Sequence, residues 1–203
     1  NLGLKILYQI LNNRADTAAE RVFAPWVDME AEMRSNGIPL YTLESFTPVR
    51  DFDVVGFSLQ YEMIYTNVLN MLDLAGIPLL STERDERWPL IIGGGPSAFN
   101  PEPVADFFDC FVIGEGEEVI EELVEAIAKW KRSGKPHGRS GLLAELNKVD
   151  GIYVPSFYEI DYNNDGTVKD IRVKNSGVKP VVHKRVVKDL NHVEFATRPV
   201  VPY

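Results

Sequence analysis

Three segments carry the residue types best suited to ligand chemistry. Pro89-Leu90-Ile91-Ile92 runs into Gly93-Gly94-Gly95-Pro96, an apolar stretch beginning at Phe52 passes Gly56-Phe57 to end on Ser58, and Cys110-Phe111-Val112-Ile113 leads into Gly114-Glu115-Gly116-Glu117. Glycines without Cβ let backbone N–H groups approach a phosphate closely. The plain alternative is a tight turn after a strand. Ser58 can touch a ligand or cap the helix that follows it. Glu115 and Glu117 stand at a helix entry, where carboxylates favour the positive end of the dipole, or they contact a ligand or a neighbouring domain. No dinucleotide fingerprint is present, because Leu11-Asn12-Asn13-Arg14 stands where GxGxxG would follow a first strand.

Redox and metal chemistry are poorly provided for. Cys110 is the single cysteine, so no disulfide, tetrahedral zinc site or iron–sulfur cluster can be built from this chain's thiols alone. Flanked by Phe107, Phe108 and Phe111, it reads as a small apolar core residue. The three histidines, His137, His183 and His192, all follow the glycine segments.

The 203 residues are 45% hydrophobic and carry a net charge of −9 with a pI near 4.9. That balance argues against a general nucleic-acid surface, which needs clustered Lys and Arg. The charge is uneven: from Thr167 onward eight Lys or Arg face three acids, a local +5 that leaves −14 for the rest. The Lys184-Arg185 and Lys188 tail reads as a solvated or domain-facing surface, with a polyanion contact as the alternative. No apolar run approaches the roughly 20 residues of a membrane span, and Asn1-Leu2-Gly3-Leu4-Lys5 lacks a signal-peptide layout, so a cytoplasmic setting is expected.

Alternating short apolar runs and helical stripes must position these groups. Strands are expected at Leu4–Leu11, Pro39–Leu43, Phe52–Ser58, Pro89–Ile92 and Asp109–Ile113. Helices are expected after Pro25, with Trp26, Met29 and Met33 at helical spacing before Gly37; over Ile64, Val68, Met71, Leu72 and Ala75; and over Ile120, Leu123, Val124 and Ile127. Such alternation predicts an α/β fold with a five-stranded parallel sheet, flavodoxin-like, of order 2-1-3-4-5. The loops after Leu11, Ser58, Ile92 and Ile113 then face one site beyond the strand ends. Residues 1–138 form this domain. A short helix at Leu142–Val149 and a hairpin of Ser156–Tyr162 with Thr167–Val173 around Asn163-Asn164-Asp165-Gly166 make an appendage over 139–188, with Val181–Val187 a candidate third strand. Residues 189–203 read as a linker.

Gly56-Phe57-Ser58, Ile91-Ile92-Gly93-Gly94-Gly95-Pro96 and Phe111-Val112-Ile113-Gly114-Glu115-Gly116-Glu117 together resemble one group: proteins in which a cobalamin-binding-type domain precedes a radical S-adenosylmethionine (radical SAM) barrel. The segment Ala19-Glu20-Arg21-Val22-Phe23-Ala24-Pro25-Trp26 is similar to an uncharacterised subfamily of these fusions. The resemblance implies that Lys188-Asp189-Leu190 leads toward a barrel of the same parent chain, where a CxxxCxxC motif would hold a 4Fe-4S cluster and bind S-adenosylmethionine. That motif is absent here, so this chain alone is not expected to be catalytic. The resemblance further implies a cofactor surface over Ser58, Gly93, Gly94, Gly95, Gly114 and Glu115. Cobalamin domains that ligate cobalt through a DxHxxG loop supply a histidine after the first strand; Asn12–Glu20 holds Asp16 and no histidine. Any cobalamin would sit here without a protein histidine on cobalt, or the domain serves only to dock substrate or the barrel. A receiver domain is disfavoured, because Ser58 stands where a phosphorylatable aspartate would be required.

Overall fold

The computed structural model describes residues 2–189, 191 and 193. Its main sheet has four strands, β1 (Val54–Ser58), β2 (Leu90–Gly94), β3 (Cys110–Val112) and β4 (Ile152–Tyr153), in the order β1-β2-β3-β4. The first three are parallel and β4 is antiparallel to β3. A separate two-stranded antiparallel sheet joins β5 (Tyr158–Tyr162) to β6 (Val168–Val173). The helices are α1 (Leu2–Asn13), α2 (Val27–Asn36), α3 (Tyr65–Leu74), α4 (Val119–Arg132) and α5 (Gly138–Leu146).

Strand alternation gives the sheet two faces, each with its own core. Val55, Ile91, Phe111 and Tyr153 join Met33 of α2 and Val68, Met71 and Leu72 of α3. Leu90, Ile92, Cys110, Val112 and Ile152 join Leu123, Ile127 and Trp130 of α4 and Leu142, Leu143 and Leu146 of α5. Each large apolar side chain so buried contributes about 1.5–3 kcal/mol. Both α5 and β4, beyond residue 138, pack into the same core as α4. In α4, Val119, Leu123, Ile127 and Trp130 form the buried stripe, while Glu121 and Glu122 in the first turn and Lys129, Lys131 and Arg132 in the last complement the helix dipole. Gly37, at φ 64°, closes α2 by donating its N–H to the Met33 and Arg34 carbonyls. Arg34 donates to Asp73 at 2.7 Å and Asn70 at 2.8 Å, and Asn70 donates to Glu30 at 2.8 Å, which clamps α2 to α3.

Several expectations are corrected. Leu4–Leu11 lies within α1, where Ile6 and Ile10, four apart, are the buried pair and the helix packs on α4. An eight-residue run rich in aliphatic residues fits either period, and no Gly or Pro interrupts it. Pro39–Leu43 is not a sheet strand. Leu40 donates its N–H to the Leu74 carbonyl at 2.9 Å, and Tyr41 forms only an isolated bridge to Pro48. The five-stranded parallel sheet of order 2-1-3-4-5 is therefore replaced by four strands in chain order, mixed in direction. Of the expected Trp26, Met29 and Met33 stripe, only Met33 is buried. Val181–Val187 adds one parallel bridge, Gly114 to Arg185, rather than a strand. The hairpin stands, turning through Gly166 at φ 84°. The expected linker at 189–203 lies outside the described residues except at 189, 191 and 193.

At the starting end of the strands sits a buried ionic cluster. Asp109 accepts the Ile91 N–H at 2.7 Å and two bonds from Arg139 at 3.0 and 2.5 Å, with Arg84 at 3.4 Å. Arg84 is fully buried, and desolvation lowers its pKa against the opposing pull of Asp109. The cluster fixes β2, β3 and α5 at the end opposite the glycine segments.

Candidate functional site at the strand ends

Strand register brings the first two segments together. Ser58 is the partner of Gly94, and Gly94 of Val112. The Leu59 N–H donates to the Gly94 carbonyl at 2.6 Å, and the Leu59 carbonyl accepts from Ser97 N–H at 3.0 Å. Ser58 is exposed and accepts a 2.7 Å bond from Gln60 Nε2. It does not cap the next helix, since the residue before α3 is Ile64, which makes no side-chain cap.

The glycines differ in what faces them. A Cβ on Gly93 would lie 2.6 Å from the Phe111 ring and 2.9 Å from Leu59 Cδ1. On Gly95, at φ 107°, it would lie 2.8 Å from the Leu59 carbonyl oxygen. On Gly114, at φ 109°, it would collide with the backbone of Arg185. On Gly116 it would meet the Leu7 side chain at 3.3 Å. Among the glycines of these three segments, Gly94, whose nearest neighbour is Val112 Cβ at 3.8 Å, and Gly56, with nothing within 4 Å, face open space. Three of the four expected cofactor glycines thus admit the protein's own atoms.

Residues 183–187 form a strap over the end of β3. Arg185 N–H donates to the Ile113 carbonyl at 2.8 Å, and Glu115 N–H donates to the Arg185 carbonyl at 3.1 Å. The Glu115 carboxylate accepts the Val187 N–H, so its role is to hold the strap; α4 begins after Glu118 with no side-chain cap. The Arg185 guanidinium pairs with Glu122 and lies 3.5 Å from Glu118. The Glu122 hydrogen bond is the main cause raising the Arg185 pKa, partly offset by desolvation. Arg185 enters the site from the basic tail, outside the glycine segments. Its signal in the sequence is the basic tail beside an acidic helix start, which are complementary in charge.

Of the glycines over which the resemblance would place cobalamin, Gly94 is open, while Gly93, Gly95 and Gly114 face the protein's own atoms. The Phe111 ring and Leu59 side chain fill the space beneath Gly93, and the strap covers Gly114. Side chains of the Asn12–Glu20 loop bond within the chain: Asn12 exchanges two 3.0 Å bonds with Ala19, and Arg14 pairs with Asp16 at 2.9 Å. Among the described residues no group of three or more His, Cys, Asp or Glu is placed to hold a metal ion. Cys110 is wholly buried and its thiol pKa is pushed far up by desolvation. No helix among the described residues is long and apolar enough to cross a membrane.

Residues 3–155 match the family described as the N-terminal region of radical SAM proteins. An uncharacterized protein of Methanocaldococcus jannaschii is 26% identical over 135 residues, covering 65% of this chain and 28% of that protein. The chain therefore spans less than a third of that relative's length. No solved structure matches.

Proposed function

The chain belongs to the family of N-terminal radical SAM domains, and on that premise we propose that it is a non-catalytic docking module, seating the radical SAM partner domain of its parent chain without itself carrying cobalamin. The strap carries this reading. Glu115 and Gly114, which a cofactor surface would need open, hold the backbone of residues 185–187, and Arg185 locks that backbone to α4. In this reading the cluster and S-adenosylmethionine belong to the partner domain, in line with the single cysteine here.

The test uses the anaerobically reconstituted parent chain and its Gly114→Val variant, which drives a side chain into Arg185. Cleavage of S-adenosylmethionine is expected to fall about tenfold, the scale of a typical coupling between sites. Faster limited proteolysis near residue 189 should accompany it. Unchanged cleavage and proteolysis would overturn the docking reading.

One observation favours a second reading, in which cobalamin rests without a histidine ligand on the open surface of Gly56, Ser58 and Gly94. Corrin burial can supply affinity without an axial imidazole. Hydroxocobalamin titrated into the parent chain and followed by visible absorbance separates the two. Saturable binding that Gly94→Val abolishes establishes the cofactor reading, and no binding supports the docking reading.

A further inference from the structure

The strand-end strap leaves unexplained a group of exposed apolar side chains elsewhere on the molecule. Trp26 is 78% exposed, Phe46 68% and Phe23 55%, with Val27 and Leu43 also exposed. Single exposed apolar residues are ordinary; five on two abutting segments are not. The segments abut because the Leu43 N–H donates to the Arg21 carbonyl at 2.9 Å.

Residues 20–21, just before Phe23, are fixed to residues 42–45, just before Phe46, by paired side-chain clamps. The Glu20 carboxylate accepts from Thr42 Oγ1 at 2.5 Å and from Ser45 Oγ at 2.7 Å. Its sequence neighbour Arg21 pairs with Glu44 at 2.7 Å and lies over the Tyr8 ring. Phe46, next to the clamped Ser45, is held at φ 57°, a left-handed conformation unfavourable for a bulky aromatic residue. Its ring meets Tyr41 at 5.9 Å between centroids but stays mostly in solvent. Strain spent on an aromatic ring that this chain leaves wet points to burial by something else. Backbone that is fixed before contact, as beside Phe46, also lowers the entropic penalty of association.

We propose that Phe23, Trp26 and Phe46 form the surface on which the radical SAM partner domain of the same parent chain packs. The inference rests on the docking reading above and names the surface that it lacks. The family is that of the N-terminal region of radical SAM proteins, and the relative matched here is more than three times the length of the matched segment, so a large covalently joined partner is at hand. A second copy fits poorly, because each chain brings a net charge of −9 and like charges repel.

Hydroxyl-radical footprinting of the whole parent chain tests the proposal, with each residue's oxidation normalised to the same chain unfolded in urea. Trp26 oxidation is expected to fall about tenfold, as for a side chain at the water-excluded centre of an interface, with Phe23 and Phe46 protected beside it. The protection should survive dilution. Trp26→Ala, which removes no core side chain, should leave the circular dichroism unchanged and raise oxidation at Phe23 and Phe46. Oxidation of Trp26 at the rate of an exposed side chain overturns the proposal. So does protection that disappears on dilution, which would assign the surface to a second copy. Footprinting of the unaltered parent chain beside cleavage by Gly114→Val keeps the two readings apart: aromatics protected in the unaltered chain with unchanged cleavage in the variant sink the strap-based docking reading alone, and aromatics exposed in the unaltered chain with lowered cleavage in the variant sink only this surface.

Discussion

The backbone of Arg185 occupies the space that a Cβ on Gly114 would need, and it is bonded there through both neighbours of that glycine, Ile113 and Glu115. Gly114 also sits at φ 109°, where any side chain is strained. Gly114→Ala is therefore expected to destabilise the protein by about 1–3 kcal/mol from strain alone, before the displaced strap is counted. Gly116→Ala provides the contrast, since its Cβ would meet only the movable Leu7 side chain at 3.3 Å. Urea unfolding of the two variants should separate them clearly, and equal midpoints would show that the strap does not hold in solution.

Removing the charge of Asp109 strands two buried guanidinium groups. Asp109 is 1% exposed, Arg84 0% and Arg139 10% by side chain, and Arg84 Nε has no hydrogen-bond partner even in the intact cluster. Asp109→Asn should cost about 3–5 kcal/mol, the scale of a broken buried pair. Asp85→Asn is the control, because its salt bridge to Arg87 is largely exposed and worth at most about 1 kcal/mol. Thermal unfolding that ranks the two variants alike would refute the assignment.

The sequence exposed the parallel β1-β2-β3 part of the fold because the runs Phe52–Ser58, Pro89–Ile92 and Asp109–Ile113 are short and apolar, the last two closed by glycine. Val68, Met71, Leu72 and Ala75 also announced α3, since their spacing fits a helix alone. Leu4–Leu11 misled because only Lys5 and Gln9 break its apolar residues, too few to fix a period, so burial of Ile6 and Ile10 is decided by packing on α4. At the site, Ser58 and Gly94 were legible as neighbours. The occupancy of Gly93, Gly95 and Gly114 was not, since glycine required for a ligand and glycine required for close packing are identical in sequence.

The Glu20 clamp should show in its titration. Hydrogen bonds from Thr42 and Ser45 hold the Glu20 carboxyl below its ordinary value, against a smaller opposing effect of desolvation. For a carboxyl depressed in the folded state, the stabilisation is fully present above the ordinary glutamate range and is lost as pH falls through the folded value. Carboxyl NMR should place the Glu20 midpoint below that of an unpaired glutamate, and Thr42→Val should move it upward. A midpoint unmoved by Thr42→Val would mean that the clamp is not formed.

Cys110 offers a readout of global opening. It lies on β3 at 0% exposure among Leu90, Ile92, Val112 and Leu123, and desolvation drives its thiol pKa upward, with the Asp109 charge adding to the rise. Since the thiolate is the reactive form, both burial and the raised pKa suppress attack on disulfide reagents. Native protein at pH 8 should therefore react with Ellman's reagent only at the rate at which the sheet opens, and denaturant should restore a full stoichiometric reaction. The same shielding bears on metal assembly: iron and sulfide added anaerobically to this 203-residue chain should give no stoichiometric cluster absorbance, because one buried thiol cannot replace the several thiolates that a cluster requires. Asp109→Asn then supplies the internal check. If opening limits the reaction, loss of the Arg84–Asp109–Arg139 cluster should speed Cys110 labelling in step with the lost stability. Rapid labelling of the unaltered native protein would place the thiol at the surface and overturn its core assignment.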